Sequence, residues 1–505
     1  MKNKNAHNLM RAAIAVCCSF VVPATYVQAQ TSWLRANDFG GSGDTIAYSV
    51  RVGPDDQVAV SGQFTGTAMF GKVSLTSSGG NDIFLAKCNS AGKVLWAIDA
   101  GGSSDDYGED VAFDQRGNIY LTGFFNNSAI FGSTNGVRQT ATGQGQTMYL
   151  AKYSPSGVVD WVVTGVSGNP ETVQAYGLAV QPETGTIYIT GVGQGGVTFS
   201  SVNGSSNVVS GDFDWHTVVV KYDKDGNFQW GQTNSANPNS VPTRVAVDAE
   251  DNVYVTGWLE NSTIFYSQDG ENIEINGFSP GQSDSNYPGD LFVTRYDRDG
   301  NVKWVNHIGG YKGIGNGIAV SKSGEITVVG EVGNINYGSA GEADTIATSL
   351  PPGENIDLGG GSFTDPYNSD VVIATYDRQG SLKRALRVGG SENELATGVA
   401  YDSKGHLDVV GVYQGTMSAL GQQLPGNSQQ NLFVLQFDKD KLIRSTGVCN
   451  AGVWMGISNI LTPSVSVDSR DQILISGGFQ GSATFGTIDL TSIGGTDAFL
   501  SRLKF

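Results

Sequence analysis

AVDAEDNVYVTG, residues 246–257, sets two short β-rich runs around an acidic turn and ends on a glycine that keeps returning along the chain. The phrase closes again at Gly62, Gly123, Gly191, Gly330, Gly411 and Gly477. Each copy is followed by a second recurring run: DIFLAKC from Asp82, TMYLAKY from Thr147, HTVVVKY from His216, DLFVTRY from Asp290, DVVIATY from Asp370, NLFVLQF from Asn431 and DAFLSRL from Asp497. Self-similarity at such a period marks a repeat architecture. The first phrase reads as a hairpin, and the second as a third strand leading through a turn such as Asp299-Gly300-Asn301 to a fourth. Four antiparallel strands in each of seven units predict an all-β, seven-bladed β-propeller. The 70 glycines suit so turn-dense a chain.

The fourth strand carries Trp96, Trp161, Trp230 and Trp304 in units one to four, rings large enough to fill the wedge between neighbouring sheets. Arg384 and Arg444 stand there in units five and six, which must pack differently. The last unit stops at Phe505 after three strands, while residues 31–41, TSWLRANDFGG, have the fourth-strand pattern. The N-terminal strand is therefore expected to close the last blade and remove the open sheet edges.

Unit two reads VAFDQRGNIYLTGFF over 111–125, and unit one supplies GGNDIFLAKC over 79–88 and GKVLW over 92–96. This succession, with GG…D before it, resembles the bacterial SBBP-type beta-propeller repeat along the mature chain, most specifically in units one, two and seven. The resemblance implies a propeller fold and an exported location, and no single activity.

Residues 1–29 place Lys2, Lys4 and Arg11 before an apolar stretch and end on Val27-Gln28-Ala29, the small-residue spacing that signal peptidase reads. The expected organisation is a secretory signal peptide over 1–29 and one propeller domain over 30–505, with insertions at 258–289 and 331–369. No later run is apolar enough to span a bilayer, so a secreted or periplasmic protein is expected. Without the leader, 27 basic face 48 acidic side chains, a net charge of −21 that excludes nucleic acid as a natural partner. The remaining cysteines, Cys88 and Cys449, fall in non-neighbouring units and are expected as free thiols.

In such a blade the second-to-third connections and the links to the next blade share one end, and there the lengths vary. From closing glycine to next strand the chain runs 20 residues in units one, six and seven, 33 in unit four and 40 in unit five. Long segments on a rigid scaffold are where binding residues collect. The candidate face is Trp258, Tyr266, Asp284 and Tyr287 in unit four, Tyr337, Asp365 and Tyr367 in unit five, and Asp44, Asp105, Asp106, Tyr107, Glu109, Glu392 and Glu394 on the links. Its mix of aromatic and polar groups suits a protein or polysaccharide ligand, and a monomer is expected. An acidic rim is also chemistry that Ca²⁺ accepts, but no stretch has a Ca²⁺-loop spacing, so no metal or other cofactor is assigned. DKDGN at 223–227 and DRDGN at 297–301 read as tight turns. His216, His307 and His406 lack zinc-ligand spacing, and no nucleophile elbow or phosphate loop occurs. With no nucleophile or base to name, the expected role is binding or scaffolding, and the alternative is a carbohydrate-active enzyme using acids at the channel mouth.

Overall fold

The computed structural model describes residues 31–168, 172–236, 239–277, 289–308, 313–333, 369–390, 392–451 and 463–505. Among these residues there is no α-helix, and one 3-10 turn spans Pro54–Asp56. The first unit pairs Thr45–Val52, Val58–Phe64, Asp82–Cys88 and Val94–Gly101 antiparallel in chain order. The same meander recurs from Tyr107–Phe113 to Val159–Ser167, from Val173–Val180 to Phe228–Ala236 and from Ser240–Val247 to Val302–Ile308. It returns from Ile314–Val320 to Leu382–Gly390 and from Glu394–Tyr401 to Lys441–Cys449. The final unit has Ser464–Val467, Ile473–Phe485 and Ile488–Lys504, and takes Ser32–Gly41 from the other end of the chain as its outer strand.

The inner strands lie side by side in a closed cycle that returns from Ser464–Val467 to Thr45–Val52. The result is an all-β, propeller-like ring. Second and third strands are sandwiched between neighbouring sheets, which is why runs such as DIFLAKC at Asp82–Cys88 are buried at every position. The closing ladder runs from Ser32 opposite Lys504 to Phe39 opposite Ala498 with one bulge between Trp33 and Arg35, and Phe39 packs into the core with Phe70 and Leu500. Cys88 is buried and Cys449 exposed, both free, and burial pushes the Cys88 thiol up to about 12.

The segment between second and third strands leaves its own blade. Thr67–Phe70 and Val73–Thr76 form a hairpin on the outer strand of the preceding unit, where Gly41 faces Ala68. Hairpins at Val197–Val209, Ser262–Asn276 and Thr416–Pro425 cross to the preceding outer strand in the same way. Each thereby covers an edge that would otherwise stay open.

Tryptophan joins the blades in the opposite sense. The rings of Trp96, Trp161, Trp230 and Trp304 lie on Gly157, Gly226, Gly300 and Gly380, each in the third-to-fourth turn of the next unit. These glycines have φ of 83°, 82°, 87° and 85°, and a Cβ would sit within about 3.0 Å of each ring, so both backbone and space demand glycine. Trp304 Nε1 donates to Arg378 O at 3.0 Å, and Arg295 Nη1 donates to the same carbonyl at 2.8 Å. The aspartate of such turns serves the backbone. Burial pushes the Asp297 carboxyl up, but donors from Asn301, Asp299 and Lys303 outweigh it and hold the group at about 2.

Where arginine replaces tryptophan the joint changes. Arg384 reaches Glu325 at 3.5 Å and Asp440 at 3.9 Å, and Arg444 Nη1 donates to Gln436 at 2.8 Å. At the closing seam the residue in this position is Arg35, whose Cδ would lie 3.1 Å from a Cβ at Gly92. Trp33 instead packs edge-on against Phe485 at 5.1 Å.

The contribution of this joint is separable by substitution. Gly421 has φ of 86° with open space around it, so Gly421→Ala is expected to cost only the left-handed backbone strain, roughly 1–2 kcal/mol. Gly380→Ala adds a methyl 2.8 Å from the Trp304 ring and is expected to cost a further 1–3 kcal/mol, roughly. Urea melts of the two variants decide the point. Equal losses would mean that the ring is not seated on the glycine.

Candidate binding site

The residues expected on one face divide among three places. Asp44, Asp105, Asp106, Glu392 and Glu394 lie where the chain passes from an outer strand to the next inner strand. That passage leaves backbone N–H groups without ladder partners, and the carboxylates take them. Asp44 Oδ1 accepts from Thr496 N at 2.7 Å, and Asp105 Oδ1 from Asn81 N at 2.8 Å, each reaching the third strand of the preceding unit. Asp106 is buried and accepts from Gly102 N at 2.7 Å and Asn126 N at 3.0 Å, and burial pushes it up to about 7. Glu394 repeats this role on Gly390 N at 2.9 Å. Burial and the neighbouring Asp370 raise it, while Arg387 Nε pairs with Asp370 at 2.7 Å. Glu392 is exposed.

Tyr107 and Glu109 belong to an inner strand, and Trp258 to the second strand of unit four. Tyr107 stacks on Phe124 with ring centroids 4.6 Å apart, in a cluster with Ile46, Tyr48, Tyr176 and Val241 against which Trp258 packs. Glu109 is placed by a bulge. Every inner strand from unit one to unit six holds one extra residue at the same level, namely Tyr48, Glu109, Tyr176, Thr243, Asn316 and Thr397. A bulge re-aims the side chain it displaces. Three of these side chains tie each inner strand to the next: Thr243 Oγ1 donates to Gly315 O, Asn316 Nδ2 to Ala396 O at 3.1 Å, and Thr397 Oγ1 to Pro463 O.

The ring encloses a cavity of about 400 Å³, lined by the carboxyl-terminal halves of the inner strands. It therefore opens toward the first-to-second turns, at the end away from the variable segments. Arg51, Arg244 and Tyr401 are its largest polar side chains. None of them stands out in the sequence, because each occupies a strand position where neighbouring units carry other residue types.

Tyr266 lies on the outer wall. With Gln268 it borders a groove of about 570 Å³ whose floor is Phe228–Thr233 and whose far side is Asn207–Asp212. Val208, 68% exposed, and Phe213, 75% exposed, stand at its edge. Asp284, Tyr287, Tyr337, Asp365 and Tyr367 lie outside the described residues, as does the leader. Among the described residues no group of three His, Cys, Asp or Glu side chains could hold a metal ion, and no helix is long and apolar enough to cross a membrane.

Residues 96–123 match the SBBP family, described as a beta-propeller repeat. An uncharacterised WD repeat-containing protein of Acanthamoeba polyphaga mimivirus is 22% identical over 468 residues, which cover 81% of this chain and 32% of that protein. The chain thus spans about a third of the length of that relative. Among solved structures, a catalytically inactive virginiamycin B lyase from Staphylococcus aureus with quinupristin aligns at 9% identity and a TM-score of 0.41, over 93% of this chain and 99% of the lyase. The Pan2 WD40 domain of Neurospora crassa aligns at 11% identity and a TM-score of 0.38, over 91% of this chain and 89% of that domain.

Proposed function

We propose that the chain is an exported, monomeric, seven-bladed propeller that binds or scaffolds a protein or glycan partner through its surface. The observation that carries this reading is the outer-wall groove, which Tyr266, Gln268 and the exposed Val208 line, with the exposed Phe213 next in the chain to its lining residue Asp212. Exposed aromatic groups flanked by hydrogen-bonding side chains are the usual anchors of such interfaces. The WD-repeat relative supports a scaffold built from repeats. The SBBP match supports the same. The link acids support catalysis poorly, because Asp106 and Glu394 are buried and already hold backbone N–H groups.

The test compares wild-type protein with a Phe213→Ser/Tyr266→Ala double variant on glycan arrays and in cross-linking to envelope proteins of the producing organism. Loss of a partner in the variant, with an unchanged melting temperature, is the expected result. A partner kept equally by both proteins would move the site off this groove. Sequencing the amino terminus of the exported protein should begin at Gln30, and a chain that keeps its leader would contradict export.

A further inference from the structure

The cavity in the ring holds a positive charge inside a chain whose net charge is −18. Arg244 lines it with 8% of its surface exposed. Its Nη1 donates to the carbonyls of Tyr176 and Thr243, each at 3.1 Å, while Nε and Nη2 find no acceptor among the described residues. Those two N–H groups form the side edge of the guanidinium, the edge that matches two oxygens of one anion.

The carboxylate that offsets that charge most is Asp110, and Arg244 has to share it. Asp110 accepts from Ser49 Oγ at 2.6 Å, Val111 N at 2.9 Å and Leu178 N at 3.0 Å, and pairs with Arg51 at 3.1 Å. Glu109 is buried with no donor on either carboxyl oxygen. Burial pushes it up to about 8, against the pull of Arg244, so it is neutral at pH 7. Two guanidiniums therefore face one carboxylate. An arginine taken out of water without a counter-ion is costly, and an anion in the cavity relieves that cost.

We propose that the channel cavity is an oxyanion site, in which the Nε/Nη2 edge of Arg244 holds a carboxylate or tetrahedral oxyanion of a small ligand entering from the first-to-second-turn face. Its volume of about 400 Å³ suits a small metabolite. The exposed lining is more polar than apolar, with Arg51, Thr397, Tyr401, Ser464 and Ser466 beside the arginine, which fits a small, polar anionic ligand. This site is separate from the outer-wall groove and does not depend on it.

Acetate and sulfate are the probes, since both stay fully ionised between pH 6 and pH 9. Isothermal titration of the whole protein, with chloride matching ionic strength, should show saturable one-site binding at pH 6.5. Acetate alone, or sulfate alone, identifies the ligand head as planar or tetrahedral. Arg244→Gln should weaken binding at least about tenfold, and Arg244→Lys should weaken it less. The charged and titratable groups around Glu109 are Asp110 on its own strand, Asp106 just before it, Arg244 and Arg51, and Tyr107 and Tyr149, both pushed up by burial and silent in this range. Glu109 and Asp106, at about 8 and about 7, both ionise in this range, so affinity should fall about fivefold or more by pH 9 in the wild type and by clearly less in Glu109→Gln. The pH series decides the matter even if Arg244→Gln does not fold. Absence of saturable binding by either anion, equal affinity in Arg244→Gln, or a pH-independent wild type would each overturn the site.

Discussion

Removal of residues 31–41 is expected to yield an aggregating or unfolded product rather than a weakened ring. The deletion strips the outer strand from the last unit, leaving Ile488–Lys504 with a bare edge from Ala498 to Lys504. It also takes away the seat of the Thr67–Phe70 hairpin and the Arg35 contact over Gly92, so the first unit loses two supports at once. Phe39, 1% exposed, leaves the core with it, and truncation of such a ring to alanine alone costs about 3–5 kcal/mol. Size-exclusion chromatography and a thermal melt provide the check. A monomeric peak with an unshifted transition would show that the seam is not what holds the ring closed. Phe39→Ala, which keeps the backbone ladder, should remain folded with a lowered midpoint.

Stability should fall as pH rises from about 5 to 9, the reverse of what an acidic protein with well-paired carboxylates shows. Glu109 is raised to about 8, Asp106 to about 7 and Asp82 to about 6, in each case first of all by burial. An acid whose folded value lies above its unfolded one keeps its proton longer in the native state. The native state then binds more protons between the two values, and unfolding becomes easier as pH rises through that window. Asp297 and Asp471, held at about 2, act oppositely, and their contribution is lost only in strong acid. The optimum should therefore sit near pH 4–5. For Glu109, a rise from 4.5 to about 8 corresponds to a ceiling on the order of 5 kcal/mol by pH 9. Glu109→Gln should remove much of the slope. Guanidinium titrations at pH 5, 7 and 9 measure it, and identical slopes in variant and wild type would show that Glu109 is already ionised.

Most of the ring can be read from the sequence because its information is repeated. The returning glycine and the run beginning at Asp82, Asp290 or Asp370 mark the second and third strands of their units. The N-terminal match to a fourth strand points to the closing pair. The crossing hairpins were not legible, since strands as short as Thr67–Phe70 acquire their register only from the neighbouring blade. Nor was the residue over Gly92: Trp33 draws the eye, but it stands in the register of Val94, and Arg35 stands in that of Trp96.

The candidate site was less legible for a related reason. A strand position states whether a side chain leaves the sheet, and a single extra residue per inner strand changes where it goes. Glu109 looks like a rim acid beside Asp105 and Asp106, yet it sits at a bulge and is fully buried. The two arginines of the cavity are ordinary in composition and become notable only when the strands are brought around one axis.

The crossing hairpins also change what counts as one piece of this molecule. A blade that lends its hairpin backward and rests its tryptophan forward shares material with both neighbours, so such a sheet cannot detach without exposing parts of two others. Duplicating a repeat would then insert a complete set of these exchanges and leave no mismatched rim. The same exchanges make partial melting unfavourable, so that the ring should lose its order as a whole rather than blade by blade.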